Sequence, residues 1–455
     1  MELIVLTYEE LQAKNAELSH LVKELLLRIS ELEKQLGKNS GNSSKPPSTD
    51  VFKKKVQNNR EKGTNKSGGQ PGHKGHHLKL VDTSLVSELS YLPVLGSCDC
   101  GASLSESGEI LGYERRQVWD IPELHPFIKE YQLEQKRCNC GKLHKSSCGY
   151  GYSIQYGSRI RALSCYLQNE QLLPIERTQS VLSDIFGFSQ VSEGLILDSS
   201  WVCYQGLSDW EEQQKKALQD SEVLHVDETG FRVNGKRAWG HVCATDKLTL
   251  YQYSPKRGKE AHEVHDILPF FSGLMVHDRY SSYNNYDCQH SFCNAHLLRE
   301  LKSLIEDGQI WAIKMYALVN ETYKGFHCAI SLETHYQAII AQGLLDNPIP
   351  KRINPKGKIK KTASLNLLEC FRDHKTEIFR FFHQENAPFD NNLAERDLRM
   401  FKLKEKISTS FRTEKGAKIF CRVRSYISTL KKQGKTVWEY LCLFFDNKCI
   451  QITYN

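Results

Sequence analysis

Apolar residues repeat every seven positions along the first forty residues of the chain. One position of the repeat holds Leu11, Leu18, Leu25 and Leu32, and a second holds Asn15, Val22, Ile29 and Leu36. The spacing predicts a coiled coil, and leucine at one seam position with β-branched residues at the other favours a parallel homodimer. The alternative is an amphipathic helix that packs on its own chain, because four repeats are near the minimum for a coiled coil.

Downstream of residue 150 the apolar pattern is first helical and then that of short strands. Residues 153–219 have helical spacing, and the phrase at 191–196 resembles the turn and second helix of a helix-turn-helix, with plain helix packing as the alternative. Residues 223–229 form a short apolar run ending in acids, and Asn234-Gly235 predicts a hairpin turn after it. Further strands are predicted at 239–245 and 248–253, and residues 273–278 form another strand that ends in an acid.

A helical insertion is predicted after this last strand. The pattern indicates helices at residues 310–340 and 363–382. They fall among the 116 residues that separate Asp278 from Glu395, which is too long for a simple connection between a strand and a helix. A further short helix is expected near Trp438.

Charge is unevenly distributed in a chain of otherwise ordinary globular composition. The 455 residues are 40% apolar and 25% charged, which suits two to four folded domains, and the net charge is +7. Residues 45–80 contain nine basic and two acidic residues, and residues 396–435 contain thirteen basic and three acidic ones. Such blocks suit a nucleic acid, since neutralising phosphates releases counterions. Solvated surface is the alternative for both.

The low-complexity segment at residues 39–79 cannot bury enough apolar surface to fold alone, so it is predicted to be a basic flexible linker. Its residues Lys53, Lys54 and Lys55 are candidate phosphate contacts, and a simple spacer is the alternative. No secretory signal begins the chain, and no apolar run is long enough to span a bilayer. A cytoplasmic protein without a membrane partner is therefore expected.

Fifteen cysteines in such a chain suggest reduced thiols or metal ligands rather than a disulfide framework. Two close pairs, Cys98 with Cys100 and Cys138 with Cys140, have the residue types for a tetrahedral Zn²⁺ site. The spacing within each pair is one residue where two are usual. Unliganded cysteines are the alternative.

Three carboxylates are candidates for a catalytic Mg²⁺ site. Asp227 and Asp278 end predicted strands, and Glu395 falls in the first turns of a helix that Asp390 or Asn391 could cap. Carboxylates of this kind can hold two magnesium ions for phosphodiester transfer. The basic residues that follow are candidates for binding DNA phosphates: Arg396, Arg399, Lys402 and Arg412.

Several motifs together resemble one known family. They are the heptads, Ser43-Ser44-Lys45-Pro46-Pro47-Ser48, Gly68-Gly69-Gln70-Pro71-Gly72-His73-Lys74-Gly75, the paired cysteines, Asp227-Glu228-Thr229, His277-Asp278-Arg279-Tyr280, Cys293-Asn294-Ala295-His296 and Asn391-Asn392-Leu393-Ala394-Glu395-Arg396. Over nearly the whole chain, they look like the transposase of the insertion-sequence-66 family. The resemblance implies an RNase H-like DDE domain with Asp227, Asp278 and Glu395 in the acidic positions. It also implies strand transfer between element ends and a target, and a zinc-binding segment before the catalytic domain.

The fold class expected is therefore multidomain α/β, with an RNase H-like catalytic domain that carries a helical insertion. The predicted order is a coiled coil at residues 1–38, the linker at 39–79, a zinc-binding domain at 80–150, a helical DNA-binding region at 151–219, the catalytic domain at 220–435 with its insertion at about 297–385, and a helical tail at 436–455.

Other functions share part of this pattern. A DNA-binding regulator would use the coiled coil and the cysteines without needing three acids, and a decayed copy would bind DNA without catalysis. A metal-dependent nuclease would share the acids and differ in the attacking group, water instead of a 3′ hydroxyl. His296 and Arg299 are candidate accessory residues, although a structural histidine is the alternative. Accessory proteins remain a possible class of partner.

Overall fold

The structure is a computed structural model that describes residues 78–105, 109–149, 151–188, 191–350, 359 and 361–447, together with the isolated positions 14, 21 and 25. The predictions for the coiled coil and for Lys53, Lys54 and Lys55 thus lie outside the described residues, apart from those three positions. The chain divides into two compact units at the boundary between His125 and Pro126. The unit that follows this boundary contains every helix and strand discussed below except the short features before residue 125.

Two cysteine turns occur in the segment before the first long helix. One lies in the unit that ends at His125, where Ser97 and Ser103 form an isolated antiparallel bridge around Cys98 and Cys100. The other lies in the following unit, between strands β1 (Gln135–Arg137) and β2 (Leu143–Lys145). Both are short hairpins.

Four helices then precede a sheet: α1 (Ser158–Asn169), α2 (Ile175–Asp184), α3 (Glu193–Gly206) and α4 (Ser208–Gln219). The second helix of the suggested helix-turn-helix corresponds to α3, which begins where Ser192 accepts a hydrogen bond from the Leu195 amide. It contains no Lys or Arg.

A five-stranded mixed sheet forms the centre of this unit. Its strands are β3 (Val223–Val233), β4 (Lys236–Ala244), β5 (Thr249–Ser254), β6 (Leu274–His277) and β7 (Gln289–Phe292), in the spatial order β5-β4-β3-β6-β7. The first three pair antiparallel, whereas β6 pairs parallel with β3 and β7 pairs parallel with β6. The short helix α5 (Lys259–His265) lies between β5 and β6.

The predicted hairpin turn joins β3 to β4. Asn234 and Gly235 have φ of 48° and 73°, the left-handed conformation that a two-residue hairpin turn requires and that these residue types tolerate. The two long strands it connects stay in register from Val233 opposite Lys236 to His225 opposite Ala244.

Side chains of β3 alternate between two apolar clusters, as the pleat demands. Leu224 and Val226 enter a cluster with Leu250 and Met275 on one face of the sheet. Phe231 and Val233 enter a cluster on the other face, with Phe401 and Phe420. The second face is covered by α12 (Asn392–Ser408) and α13 (Glu414–Lys432).

Between β7 and α12 the chain forms a separate group of helices: α6 (Asn294–Glu306), α7 (Ile310–Tyr323), α8 (Ala329–Asp346), α9 (Ala363–Asp373), α10 (Lys375–Ile378) and α11 (Arg380–His383). They pack around their own apolar cluster, which includes Trp311, Met315 and Phe371. The helix predicted at 310–340 is two helices, because Gly325 has a φ of +80° and the chain turns there. The helix predicted at 363–382 is likewise broken into three.

The last described helix, α14 (Val437–Phe445), packs against α1 and α3, the helices before the sheet. Leu441 shares a buried cluster with Cys165 and Cys203 from α1 and α3 and with Tyr426 from α13. The helices before the sheet and those after it therefore form one core. Within the described residues, no helix is both long and apolar enough to cross a membrane.

Candidate active site

Two carboxylates interact electrostatically where β3 meets β6. The parallel register places His225 opposite Val276. Continued by two residues, it brings Asp227 beside Asp278, which directly follows the end of β6. Because side chains alternate along a strand, both carboxylates belong to the face opposite the Leu224–Met275 cluster. This is the face that α12 covers.

Glu395 approaches the same region from α12. It belongs to the first turn of the helix and is half-buried. Its neighbours Ala394, Leu398 and Phe401 are buried against the sheet, and Phe401 stacks on Phe231 of β3. The packing of α12 on β3 therefore brings the third acid towards the first two.

The charges of these acids act on one another. Burial raises the pKa of Asp227 well above its usual range, and the negative charges of Asp278, Glu228 and Glu395 raise it further, in that order. A hydrogen bond from the Glu228 amide to Asp227 Oδ1, 2.8 Å long, opposes this rise. Asp227 therefore lies in a buried acidic pocket, where burial and the neighbouring carboxylates disfavour its ionised form.

Asn391 connects the beginning of α12 to β3. Its Nδ2 donates to the Val226 carbonyl at 2.8 Å, and its Oδ1 lies 2.9 Å from His225 Nδ1. Its backbone amide donates to Cys293 Sγ at 3.2 Å, and its carbonyl accepts from the Glu395 amide. The side chain is 1% exposed. Asn391 thus stands at the N-cap position, as the sequence allowed, but its side chain makes no capping bond and holds the strand beside Asp227.

The side chain of Glu228, next to Asp227, is buried, and its carboxylate is hydrogen-bonded to two other side chains. Its carboxylate accepts from Arg257 Nε at 2.8 Å and from the Tyr283 hydroxyl. Arg257 also lies over the rings of Trp239 and Tyr280, with its guanidinium carbon 3.9 Å from the Tyr280 centroid. The contacts hold Glu228 in place, and they distinguish its structural setting from that of Asp227.

The turn after Asp278 is strained. Arg279 has a φ of +69°, which is uncommon for a residue with a side chain. The Asp278 carboxylate accepts from the Tyr280 amide at 3.1 Å, and Arg279 reaches Glu300 of α6 and Cys370 of α9. These contacts with the helical group hold the turn that presents Asp278.

A second group of ligand-type atoms surrounds Glu395. Its Oε1 lies 3.4 Å from His296 Nδ1 and 3.8 Å from Cys293 Sγ. Among the described residues, these three side chains are the one group of three or more His, Cys, Asp or Glu whose ligand atoms all lie within 4.8 Å of one another. Arg299, one turn after His296 on α6, is half-buried.

The predicted phosphate contacts near Glu395 are accessible. Arg396, Arg399 and Lys402 are exposed along α12, and Arg412 is exposed in the following turn. Arg396 Nε lies 3.3 Å from the Asn392 carbonyl, and Lys402 bonds to the Gly230 carbonyl. This basic stretch begins at the residue after the third acid.

Three other residues of the second basic block stabilise the fold. Arg422, Arg424 and Lys432 pair with Glu211, Glu170 and Asp397, respectively. Arg424 is 5% exposed, and its Nη1 also donates to the carbonyls of Asn169 and Glu170. The sequence suggested a uniform basic surface here, but the three side chains bind helices and loops that cover the sheet.

The two cysteine pairs adopt the same turn. The Cys98 amide donates to the Ala102 carbonyl at 2.9 Å, and the Cys138 amide donates to the Lys142 carbonyl at 2.8 Å. Gly101 and Gly141 both have a φ of +90°, which permits the chain to reverse after the second cysteine of each pair. Hydrogen bonds from the Cys100 and Cys140 amides lower the pKa of the Cys98 and Cys138 thiols. Zinc binding by these cysteines stays a prediction.

Asn391, Cys293 and Arg257 are site residues whose contacts the sequence did not reveal. Asn391 and Cys293 occur in motifs quoted above, but a helix cap was the role expected for Asn391. Their contacts span 166 and 102 positions, from Asn391 to His225 and from Cys293 to Glu395. No periodic signal reports such distant pairs.

A mixed α/β protein with an acidic pocket between two parallel strands and a helix is the class that this fold and site define. The sequence model of the transposase IS66 family matches residues 153–419, more than half of the chain and the whole of the sheet. The chain belongs to the transposase IS66 family. Residues 4–79 match a family of unknown function, DUF6444. No curated protein matches the sequence.

Proposed function

We propose that this chain catalyses metal-dependent cleavage and strand transfer of DNA at the ends of an insertion sequence, with Asp227, Asp278 and Glu395 as the catalytic acids. The observation that carries the proposal is the register of β3 and β6, which makes Asp227 and Asp278 neighbours on the face that α12 covers. Family membership supplies the reaction class.

The sheet order supports an RNase H-like catalytic domain. Three strands form an antiparallel meander, and β6 and β7 extend the sheet on the other side of β3, both parallel to it. The acids lie where this order changes from antiparallel to parallel, and the edges of α/β sheets at such points commonly hold active sites.

The pocket fits magnesium. Its three acids offer oxygen atoms alone, which are the donors that Mg²⁺ prefers. Burial chiefly raises the pKa of Asp227, and the charges of Asp278, Glu228 and Glu395 raise it further, so a divalent cation bound there would stabilise the ionised carboxylate. Two bound magnesium ions would activate the attacking oxygen and stabilise the leaving one.

The chain's own residues would orient this chemistry. Asn391 holds the beginning of α12 against β3, and thereby holds Glu395 near Asp227. Arg279 fixes the turn that carries Asp278. The exposed Arg396, Arg399, Lys402 and Arg412 would bind the phosphates on either side of the scissile bond.

A strand-transfer assay with magnesium tests the acids. We expect Asp227→Ala, Asp278→Ala and Glu395→Ala each to lower joining by at least about a hundredfold, because each removes a metal ligand, while DNA binding persists. Asp209→Ala, which removes an exposed acid from α4, is the control and should join normally. Normal joining by all three variants would refute the assignment. An intact chain that binds DNA but never joins it would favour the alternative, a regulator or a decayed copy.

Salt dependence tests the basic stretch. Replacing Arg396 and Arg399 together by Gln should flatten the plot of log affinity against log salt by about 0.9 for each phosphate that the double variant no longer neutralises. Lys216→Gln, an exposed basic residue on α4, is the matched control. An unchanged slope in the double variant would show that α12 does not bind the DNA backbone.

A further inference from the structure

The side chains around Glu395 bring three kinds of ligand atom together outside the pair of aspartates. Cys293 is the N-cap residue of α6, and His296 follows in its first turn. Glu395 comes from the first turn of α12. The sulfur, the imidazole nitrogen and the carboxylate oxygen all lie within 4.8 Å of one another.

This donor set differs in kind from the one proposed for magnesium. A thiolate, an imidazole and a carboxylate are ligands of tetrahedral Zn²⁺, whereas Mg²⁺ takes oxygen donors. Three protein ligands leave the fourth tetrahedral position for water. The chemistry of the group therefore selects a thiophilic divalent ion.

Two further observations point to a ligand there. His296 Nδ1 is buried, and no described atom forms a hydrogen bond with it, although Glu395 Oε1 lies 3.4 Å away. A buried ring nitrogen without a partner costs free energy, which a metal bond would recover. Cys293 Sγ accepts the Asn391 amide at 3.2 Å, a contact that would stabilise a thiolate ligand.

We propose that Cys293, His296 and Glu395 form a zinc site that shares Glu395 with the catalytic magnesium site, so that bound zinc inhibits strand transfer. On binding, the Cys293 thiol releases its proton to solvent and its sulfur bonds the metal, while His296 Nδ1 and one Glu395 oxygen each donate a lone pair. A water completes the site. The inhibitory part rests on the proposed function, because it requires Glu395 to act in catalysis.

The position of Glu395 supports this competition. Its Oε1 lies 3.8 Å from Cys293 Sγ and 3.4 Å from His296 Nδ1. The carboxylate in this structure therefore lies on the side of the thiol and the imidazole. A metal held there would keep it from the two aspartates.

Cobalt tests the site without any reaction. Co²⁺ substitutes for zinc, and a thiolate ligand adds a charge-transfer absorption. We expect Cys293→Ser to bind one Co²⁺ fewer per chain than the parent and to lose the absorption of one thiolate. We expect His296→Gln to lower the affinity for the same Co²⁺ ion by about tenfold or more. Cys288→Ser is the matched control. The half-buried Cys288 thiol lies 3.8 Å from His290 Nε2, but these two residues belong to no group of three ligand-type side chains among the described residues. This variant should change neither the number of Co²⁺ ions bound nor the spectrum.

Equal cobalt stoichiometry and equal spectra in the parent, Cys293→Ser and His296→Gln would overturn the proposal. Thermal unfolding of each variant verifies that it folds. His296→Gln keeps the test decisive if the substitution at the buried Cys293 prevents folding, because His296 is only partly buried.

Joining assays at saturating magnesium then test the inhibition. Micromolar zinc should lower joining by the parent at least about tenfold and leave Cys293→Ser nearly unaffected. If Cys293→Ser loses the cobalt site but zinc inhibits both proteins equally, the sharing of Glu395 is refuted. If the parent shows no joining even without zinc, the proposed function fails, and the cobalt result still decides whether the site exists.

Discussion

The side-chain amide of Asn391 has both of its partners on β3, beside Asp227. The backbone carbonyl of Asn391 accepts from the Glu395 amide, and its backbone N–H donates to Cys293 Sγ. One buried residue therefore connects β3, the first turn of α12 and the beginning of α6 through hydrogen bonds. Side chains of this kind hold catalytic groups in place without touching the substrate.

Replacing this residue should separate positioning from chemistry. We expect Asn391→Ala to lose about 1–3 kcal/mol of stability, because the Val226 carbonyl and His225 are left without a partner. Joining should fall by about tenfold or more at saturating DNA, since Glu395 loses its fixed position. Urea unfolding and the rate of joining measure the two effects. Asn392→Ala, at the exposed neighbouring position, should leave joining unchanged, and a normal rate in Asn391→Ala would contradict the positioning role.

The acidic pocket should cost stability when no cation is present. The pKa of Asp227 is raised in the folded protein, chiefly by burial, so the stability linked to its protonation is present below pH 4 and is lost as the pH rises through the folded-state pKa. At pH 7 with a chelator, Asp227→Asn should therefore unfold at a higher temperature than the parent. The difference should shrink as the pH falls below 3.8, the ordinary pKa of aspartate, because the parent carboxyl then becomes protonated in both states.

Magnesium supplies the second arm of that test. It should raise the unfolding temperature of the parent and not that of Asp227→Asn, because ligand binding stabilises the folded state that holds the site. Asp209→Asn should behave like the parent throughout. A parent that is more stable than Asp227→Asn at pH 7 without a cation would contradict the electrostatic account.

At the scale of elements, α12 approaches β4 closely. A Cβ on Gly240 would lie 2.6 Å from the ring of Phe401, which also stacks on Phe231. The absence of a side chain at Gly240 lets the helix that carries Glu395 lie directly on the sheet.

Gly240→Ala should therefore destabilise the chain by about 1–3 kcal/mol through overpacking, and it should also lower joining, because α12 must move. Urea unfolding measures the first effect. Gly194→Ala in α3 is the control, since its Cβ would meet nothing closer than 3.6 Å and alanine favours a helix by up to about 1 kcal/mol. Equal stability of Gly240→Ala and the parent would show that the contact relaxes freely.

Local sequence predicted most of the central elements. The apolar run at 223–229 and the turn residues Asn234-Gly235 indicated the hairpin of β3 and β4, and the structure confirms both strands. The helices at 310–340 and 363–382 were right in type and wrong in extent. The apolar spacing continues across Gly325, but the helix does not. One glycine in a left-handed conformation ends α7 without changing the apolar pattern.

Over the whole molecule, the basic residues after Glu395 have two distinct environments. On α12, Arg396, Arg399, Lys402 and Lys406 are exposed, whereas Arg422, Arg424 and Lys432 pair with acids up to 254 positions away. A charge count along the sequence treats both sets alike. The part of the block that can meet DNA is smaller than its thirteen basic residues suggest.

The cysteine turns make a prediction about the intact chain. If the cysteine turns hold structural zinc, metal analysis should find tightly bound zinc whose amount falls in Cys98→Ser and in Cys138→Ser. Removing the ion with a strong chelator should increase proteolysis of residues 78–149. Cys328→Ser, at another exposed thiol, is the control. A chain purified without zinc and equally resistant to protease would contradict the prediction.

By itself, the sequence determined most of the strands and helices around the site, and it singled out three acids as candidates, because periodicity and turn chemistry are local properties. Only the tertiary structure decided which residues surround those acids. The parallel pairing of β3 with β6 makes neighbours of Asp227 and Asp278, and the close packing of α12 on the sheet brings Asn391, Cys293 and His296 to Glu395. Such contacts depend on register and packing between distant elements, which no pattern along the chain encodes.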